Sequence, residues 1–151
     1  MIKKYLETEF KNNEELFNIC KEIYEEKYFL EDFDLSDISD ITFYVYELNN
    51  KVIGFGAYQN LDFLFHLCYL TFKKEYELSI YEEELINHIL SEIKVINDKN
   101  INVSVYLNSV KDKKFYEKLN FKLYKDFKKQ TPFMFENMEG KDLTRFVMEL
   151  K

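Results

Sequence analysis

The amino-acid sequence predicts a mixed α/β (α+β) chain in which a central sheet of six to seven strands is flanked by about four helices. Three observations carry that expectation. Short stretches dense in β-branched and aromatic residues recur along the chain, residues 80–96 repeat apolar side chains every three or four positions, and the two kinds of element alternate rather than segregate.

In chain order, residues 2–10 alternate weakly between apolar and polar and read as a first strand. Asn12-Asn13-Glu14-Glu15 then opens a helix to about residue 28, with Leu16, Ile19, Cys20 and Ile23 at helical spacing. The acidic segment 31–40, with Leu35 and Ile38 among Asp and Ser, is a short second helix or a loop. Residues 41–48 and 52–58 are two β-rich runs joined at Asn49-Asn50, which predicts a hairpin. Residues 61–72 are almost wholly apolar and aromatic, as in a strand covered on both faces, which places it centrally in the sheet. Within 80–96, Leu85, Ile86, Ile89, Leu90 and Ile93 form the apolar stripe of an amphipathic helix. Residues 101–107 alternate as a strand, 111–119 form a short helix, and 122–127 with 143–150 read as closing strands. Segment 128–142, which holds the only Pro and Gly140, reads as a loop.

The chain of 151 residues is the size of one domain around one core, and nothing in it reads as a linker or repeat. With 46% hydrophobic and 32% charged residues it has the balance of a globular protein rather than a disordered one. A net charge of −7 repels phosphate backbones and anionic lipid, so neither nucleic acid nor a membrane is an expected partner. The first residues lack the apolar stretch of a signal peptide and no run could span a bilayer, so the expected location is cytoplasmic. Cys20 and Cys68 are too few for a disulfide framework and no Cys/His cluster has zinc-ligand spacing; two reduced, buried thiols and no metal site are expected.

Two stretches are more specific. Val45-Tyr46-Glu47-Leu48-Asn49-Asn50-Lys51-Val52-Ile53-Gly54-Phe55-Gly56 has a short turn followed by hydrophobic-hydrophobic-Gly, and Lys113-Lys114-Phe115-Tyr116-Glu117-Lys118-Leu119-Asn120-Phe121 closes a helix. Together with the element order, they resemble the GNAT N-acetyltransferase family over nearly the whole chain. Asn120 stands where that family usually has Gly, and Asn tolerates the left-handed conformation such a position needs. The resemblance implies a splayed, mostly antiparallel sheet, acetyl-CoA as acyl donor and an amine as acceptor.

Lys74-Glu75-Tyr76-Glu77-Leu78-Ser79-Ile80-Tyr81-Glu82 takes the place of the family's pyrophosphate loop, of which only Glu75 and Tyr76 match. By resemblance, Glu77, Leu78, Ser79, Ile80, Tyr81 and Glu82 would bind the cofactor through backbone N–H groups at a helix N-terminus. Yet this loop is degenerate: Glu77 replaces Arg or Gln, and Ile80 and Glu82 replace glycines. Glu82, Glu83 and Glu84 would compete with phosphate for the same amides and repel it. On the residues alone, Ser79 and Glu82 form a capping box that needs no ligand.

The resemblance further implies that Leu70 and Phe72 hold the pantetheine arm through backbone hydrogen bonds, with a strand bulge turning an N–H toward the thioester oxygen. Tyr116 aligns with a tyrosine that protonates the departing thiolate; its other reading is a packing residue on the helix face. His66 lies four residues before Leu70 and shares strand parity with Leu70 and Phe72. It is either a general base or a hydrogen-bonded core residue. Glu47 is a second candidate base, and His88 falls on the polar side of its helix, where exposure is expected. Asn108 and Ser109 either contact the pantetheine arm or cap the helix at Lys111. Cys68 has no basic neighbour in sequence to make it a nucleophile.

The expected acceptor is a primary amine on a small molecule or peptide, and the carboxylates of segments 31–40 and 131–142 point to a cationic one. The competing expectation is a binding or dimerisation module, a possible homodimer, that keeps the fold after losing the phosphate loop.

Overall fold

The computed structural model describes residues 1–27, 33, 35, 39–62, 64–97, 103–107, 110–123 and 146–150. Its elements run β1 (Ile2–Leu6), α1 (Glu7–Asn12), α2 (Glu14–Lys27), β2 (Ile41–Leu48), β3 (Lys51–Asn60), β4 (Phe65–Phe72), α3 (Ile80–Ile96), β5 (Val103–Leu107), α4 (Val110–Lys118), β6 (Lys122–Leu123) and β7 (Phe146–Leu150), with a 3-10 turn at Lys74–Tyr76. The strands form one sheet in the order β1-β2-β3-β4-β5-β7-β6. Every neighbouring pair is antiparallel except β4 and β5. This is the mixed, mostly antiparallel sheet of six to seven strands that the sequence predicts.

The first strand is shorter than the expected 2–10. The Leu6 N–H donates to the Glu9 carboxylate at 3.0 Å, which starts α1 instead of extending β1. Phe10, expected to be in the strand, becomes the buried side of α1 and stacks on Phe43 with ring centroids 3.9 Å apart. Asn13 then opens α2 by accepting the Leu16 N–H on its side-chain oxygen at 3.1 Å.

The hairpin turn is as its sequence requires. Asn49 and Asn50 both have positive φ, 53° and 63°, the primed turn whose twist matches the strands it joins. The central strand starts at Phe65 rather than residue 61, because Asp62 turns left-handed at φ 67° and the Leu61 N–H donates to the Leu64 carbonyl at 2.9 Å. Of segment 31–40, Phe33 and Leu35 are buried and most of the rest lies outside the described residues, as do all of 128–142 and the extra ends of the expected strands there.

Two apolar layers sandwich the sheet. On one face Leu85, Ile86, Ile89 and Ile93 of α3 pack on Tyr44, Leu67, Leu70 and Phe72. On the other, Cys20 and Ile23 of α2 with Phe10 pack on Phe43 and Phe55. Burial on both faces explains why β4 is almost wholly apolar and aromatic. Gly54 and Gly56 of β3 have a packing reason too, since a Cβ at Gly54 would lie 2.3 Å from the Phe72 ring and one at Gly56 would lie 2.4 Å from Leu70 Cδ2. The glycines are the floor on which those two side chains rest.

Candidate active site

Strand β4 carries the geometry on which the site is built. Phe55 pairs with Thr71, but Ala57 pairs with Cys68, so two β4 residues, Tyr69 and Leu70, face the single Gly56. This is a β-bulge, with Tyr69 at φ 55°. On its other side β4 pairs with β5 only through Phe65, His66 and Leu67. Beyond the Leu67–Val105 pair β5 continues against β7 while β4 continues against β3, so the two strands part and leave a gap lined by the bulged half of β4. Among the described residues no strand pairs with this side of β4 beyond Leu67, so backbone donors and acceptors stand open along the stretch that holds Leu70 and Phe72.

The bulge corrects one expectation. An extra residue reverses strand parity, so Phe65 and Leu67 share the α3 face with Leu70 and Phe72, whereas His66 lies with Cys68 on the α2 face. His66 is half-buried, and its Nδ1 is 3.1 Å from the hydroxyl of Ser104, itself fully enclosed. It stands one residue before the last β4–β5 pair, at the apex of the gap, but not on the face first expected.

Tyr116 is 4% exposed, in the α3-side core, edge-on to Phe115 and Phe121. Its carbonyl accepts the Phe121 N–H at 3.0 Å while the Glu117 carbonyl accepts the Asn120 N–H at 3.0 Å, and Asn120 has φ 71°. That bond pair is a Schellman closure, and the Tyr116–Phe121 contact is the apolar clasp that accompanies it. Asn120 thus does the left-handed work expected of it. Asn108 and Ser109 lie outside the described residues.

The loop before α3 is closed on itself. Ser79 caps the helix, accepting the Tyr81 N–H on its hydroxyl at 3.2 Å. Glu82 does not complete the expected capping box on Ser79. Its carboxylate reaches one residue further back, accepting the Leu78 N–H at 2.6 Å, with Leu78 at φ 52°. The three successive glutamates also do not act as a block, because each helical residue turns 100° from the last. Glu84 accepts the Tyr46 hydroxyl at 2.7 Å, Glu83 pairs with Lys118 at 3.3 Å, and only Glu82 turns into the loop. Among the described residues no acceptor meets the N–H of Ser79 or Ile80, and Ile80 itself is 73% exposed.

Coenzyme A would need two seats here. The opened edge of β4 suits the amide-bearing pantetheine arm. The amides before α3 suit the diphosphate less, because Leu78 is already held by a carboxylate.

Other candidates divide clearly. Glu47 is paired with Lys3 at 3.1 Å and lines a cavity together with Val52, Lys73 and Lys74. His88 is half-buried rather than exposed, edge-on to the Tyr44 ring at 5.7 Å, because α3 lays its Glu84, His88 and Glu92 flank along β2. Tyr44 donates to Glu92 and Tyr46 to Glu84. Burial, then the Glu92 bond and charge, push the Tyr44 phenol well above its ordinary range; burial and then Glu84 push Tyr46 up to about 12. Sequence reading missed these two pairs, whose signal was the alternate tyrosines of β2 against carboxylates eight residues apart on α3. Cys20 is buried as expected but Cys68 is only half-buried, packed against the α2-side core; desolvation drives both thiols upward, so neither is a ready nucleophile. No group of metal-ligating side chains and no helix long and apolar enough to cross a membrane occurs among the described residues.

No protein-family model matches the sequence, and no curated protein does. Solved structures do match. An acyl-CoA N-acyltransferase from Pseudomonas aeruginosa aligns with a TM-score of 0.71 at 6% identity, over 100% of this chain and 99% of that one. The chain has the GNAT acetyltransferase fold. A GNAT family acetyltransferase from Elizabethkingia anophelis with acetyl-CoA bound aligns at 0.64 and 13% identity, covering 100% of this chain and 97% of that one. The aminoglycoside 6'-N-acetyltransferase from Enterococcus faecium aligns at 0.69 and 14% identity, covering 99% and 96%.

Proposed function

We propose that this GNAT-fold chain is an N-acyltransferase that moves an acetyl group from acetyl-CoA to a primary amine of a small molecule or peptide. The observation that carries the reading is the bulge at Tyr69 where β4 parts from β5, which frees backbone groups in the middle of the sheet. Acetyl-CoA supplies an activated thioester carbonyl. Leu70 and Phe72 hold the donor's arm by main-chain bonds, and a bulge N–H faces the oxygen on which charge develops as the amine attacks. His66, at the apex of the gap, takes the amine's proton from the α2 face, and the Tyr116 hydroxyl returns one to the departing thiolate. The aminoglycoside acetyltransferase neighbours, together with the carboxylates in the sequence of segments 31–40 and 131–142, support a cationic amine as acceptor.

A second reading is favoured by one observation, the Glu82–Leu78 bond: a binding module that keeps the fold without the coenzyme. Thermal melting with acetyl-CoA separates the two. Ligand at a hundred times its dissociation constant adds about 2.7 kcal/mol, or roughly 5–10 °C for a chain of this size. No shift at millimolar acetyl-CoA would remove the transferase reading. Where a shift is seen, Tyr116→Phe and His66→Ala should each lower turnover on the order of 10²-fold with coenzyme affinity nearly unchanged, the size of a lost acid or base. Unaltered turnover in both would remove these roles.

A further inference from the structure

The loop before α3 carries a feature that the fold does not require. A helix N-terminus can be capped by Ser79 alone, and Ser79 does so. Glu82 goes further. It is only 3% exposed, its carboxylate accepts the Leu78 N–H at 2.6 Å, and that amide sits on a residue held at φ 52°. A backbone amide turned inward by a left-handed residue beside a helix N-terminus is an anion seat. Here an anion from the same chain already fills it. A buried carboxylate in this position must be hydrogen-bonded to be tolerated, and the short contact to Leu78 is one such bond. Glu83 and Glu84 take partners on α4 and β2, so the occupation belongs to Glu82 and not to a general excess of negative charge.

We infer that Glu82 is an internal stand-in for a diphosphate, so that this chain selects its ligand by the pantetheine arm and gains nothing from the diphosphate of coenzyme A. The inference rests on reading the open edge of β4 as the seat of that arm. A diphosphate entering the loop must break the Glu82–Leu78 bond, expel a buried carboxylate into water and lie beside the Ser79 and Ile80 amides that remain. The donor it favours is a pantetheine thioester whose far end does not need this loop.

Titration calorimetry with coenzyme A and with pantetheine, on the intact protein and on Glu82→Ala, tests the inference. The native protein should bind both within about threefold of each other. Removing the carboxylate should tighten coenzyme A by roughly 10- to 100-fold, the weight of one charge-assisted hydrogen bond, and leave pantetheine within about twofold. Because Glu82→Ala also removes a loop bond, Glu82→Gln is the second variant. It keeps the size and an acceptor oxygen for Leu78, removes the charge, and should tighten coenzyme A several-fold. Native protein binding coenzyme A more than about tenfold tighter than pantetheine would overturn the inference, as would variants that leave that ratio unchanged. If pantetheine still binds in the latter case, the transferase reading survives alone. If neither compound binds any of the three proteins, both readings fall.

Discussion

Gly54→Ala tests the packing beneath the site. The added methyl would lie 2.3, 2.4 and 2.6 Å from Phe72 Cγ, Cδ2 and Cδ1, well inside van der Waals contact. The atoms met are the root of a ring, and Phe72 is fully enclosed, with the Tyr46 ring 6.2 Å away, so it has no open space to swing into. Overpacking of this kind costs about 2–3 kcal/mol. Replacing glycine also removes freedom from the unfolded chain, which returns about 0.4–1 kcal/mol. The steric effect wins, leaving a net loss of about 1–2 kcal/mol and a melting point lower by roughly 3–8 °C. Urea unfolding should show a lower midpoint with an unchanged slope. The decisive measurement is the double mutant with Phe72→Leu, which shortens the clashing side chain. On the clash argument, the pair should be less damaging than the sum of the singles by about 1 kcal/mol or more. Additivity within about 0.5 kcal/mol, or native stability in Gly54→Ala alone, would refute it.

Two further outcomes follow from local geometry. Asn120→Ala places a Cβ without a polar compensator at φ 71° and should cost about 1 kcal/mol in urea unfolding, while Asn120→Gly should be neutral or stabilising. Tyr46→Phe removes the bond to Glu84 and should cost about 1 kcal/mol at neutral pH. Folding raises the Tyr46 pKa to about 12, so this contribution is complete below the unfolded phenol's ~10 and is lost as pH rises through 12. The stability difference between native protein and Tyr46→Phe should therefore be flat up to about pH 10 and shrink above it; a difference that grows there contradicts the assignment.

Much of the architecture was legible because local chemistry and tertiary packing agree. The hairpin at Asn49-Asn50, the apolar β4, the stripe of α3 and the left-handed Asn120 each state their conformation in their own residues. The site was less legible, for two physical reasons. A bulge changes parity without leaving a mark in composition, so His66 was assigned to the face of Leu70 when one inserted residue puts it on the other. Side-chain direction around a helix is likewise invisible as a count of charges. Three consecutive glutamates read as one repulsive block, yet a turn of 100° per residue sends them to a loop amide, a lysine and a tyrosine.

The stretch that most resembles the family is therefore not the stretch that most constrains the chemistry. Phe115-Tyr116-Glu117-Lys118-Leu119-Asn120-Phe121 closes α4: Tyr116 accepts the Phe121 amide, Asn120 turns left-handed, and the Tyr116 and Phe121 rings clasp. All of those contacts serve the helix end, and they would be kept whether or not the Tyr116 hydroxyl ever meets a thiolate. The bulge at Tyr69 is different, because a regular strand would pair more backbone groups and avoid a non-glycine residue at positive φ. The Glu82 bond is different in the opposite sense, since it satisfies in advance the amide that a diphosphate would need. On the proposed transferase reading, chemistry is thus decided between a strand that opens a seat and a loop that fills one, and Glu82 is the residue at which the two can be separated.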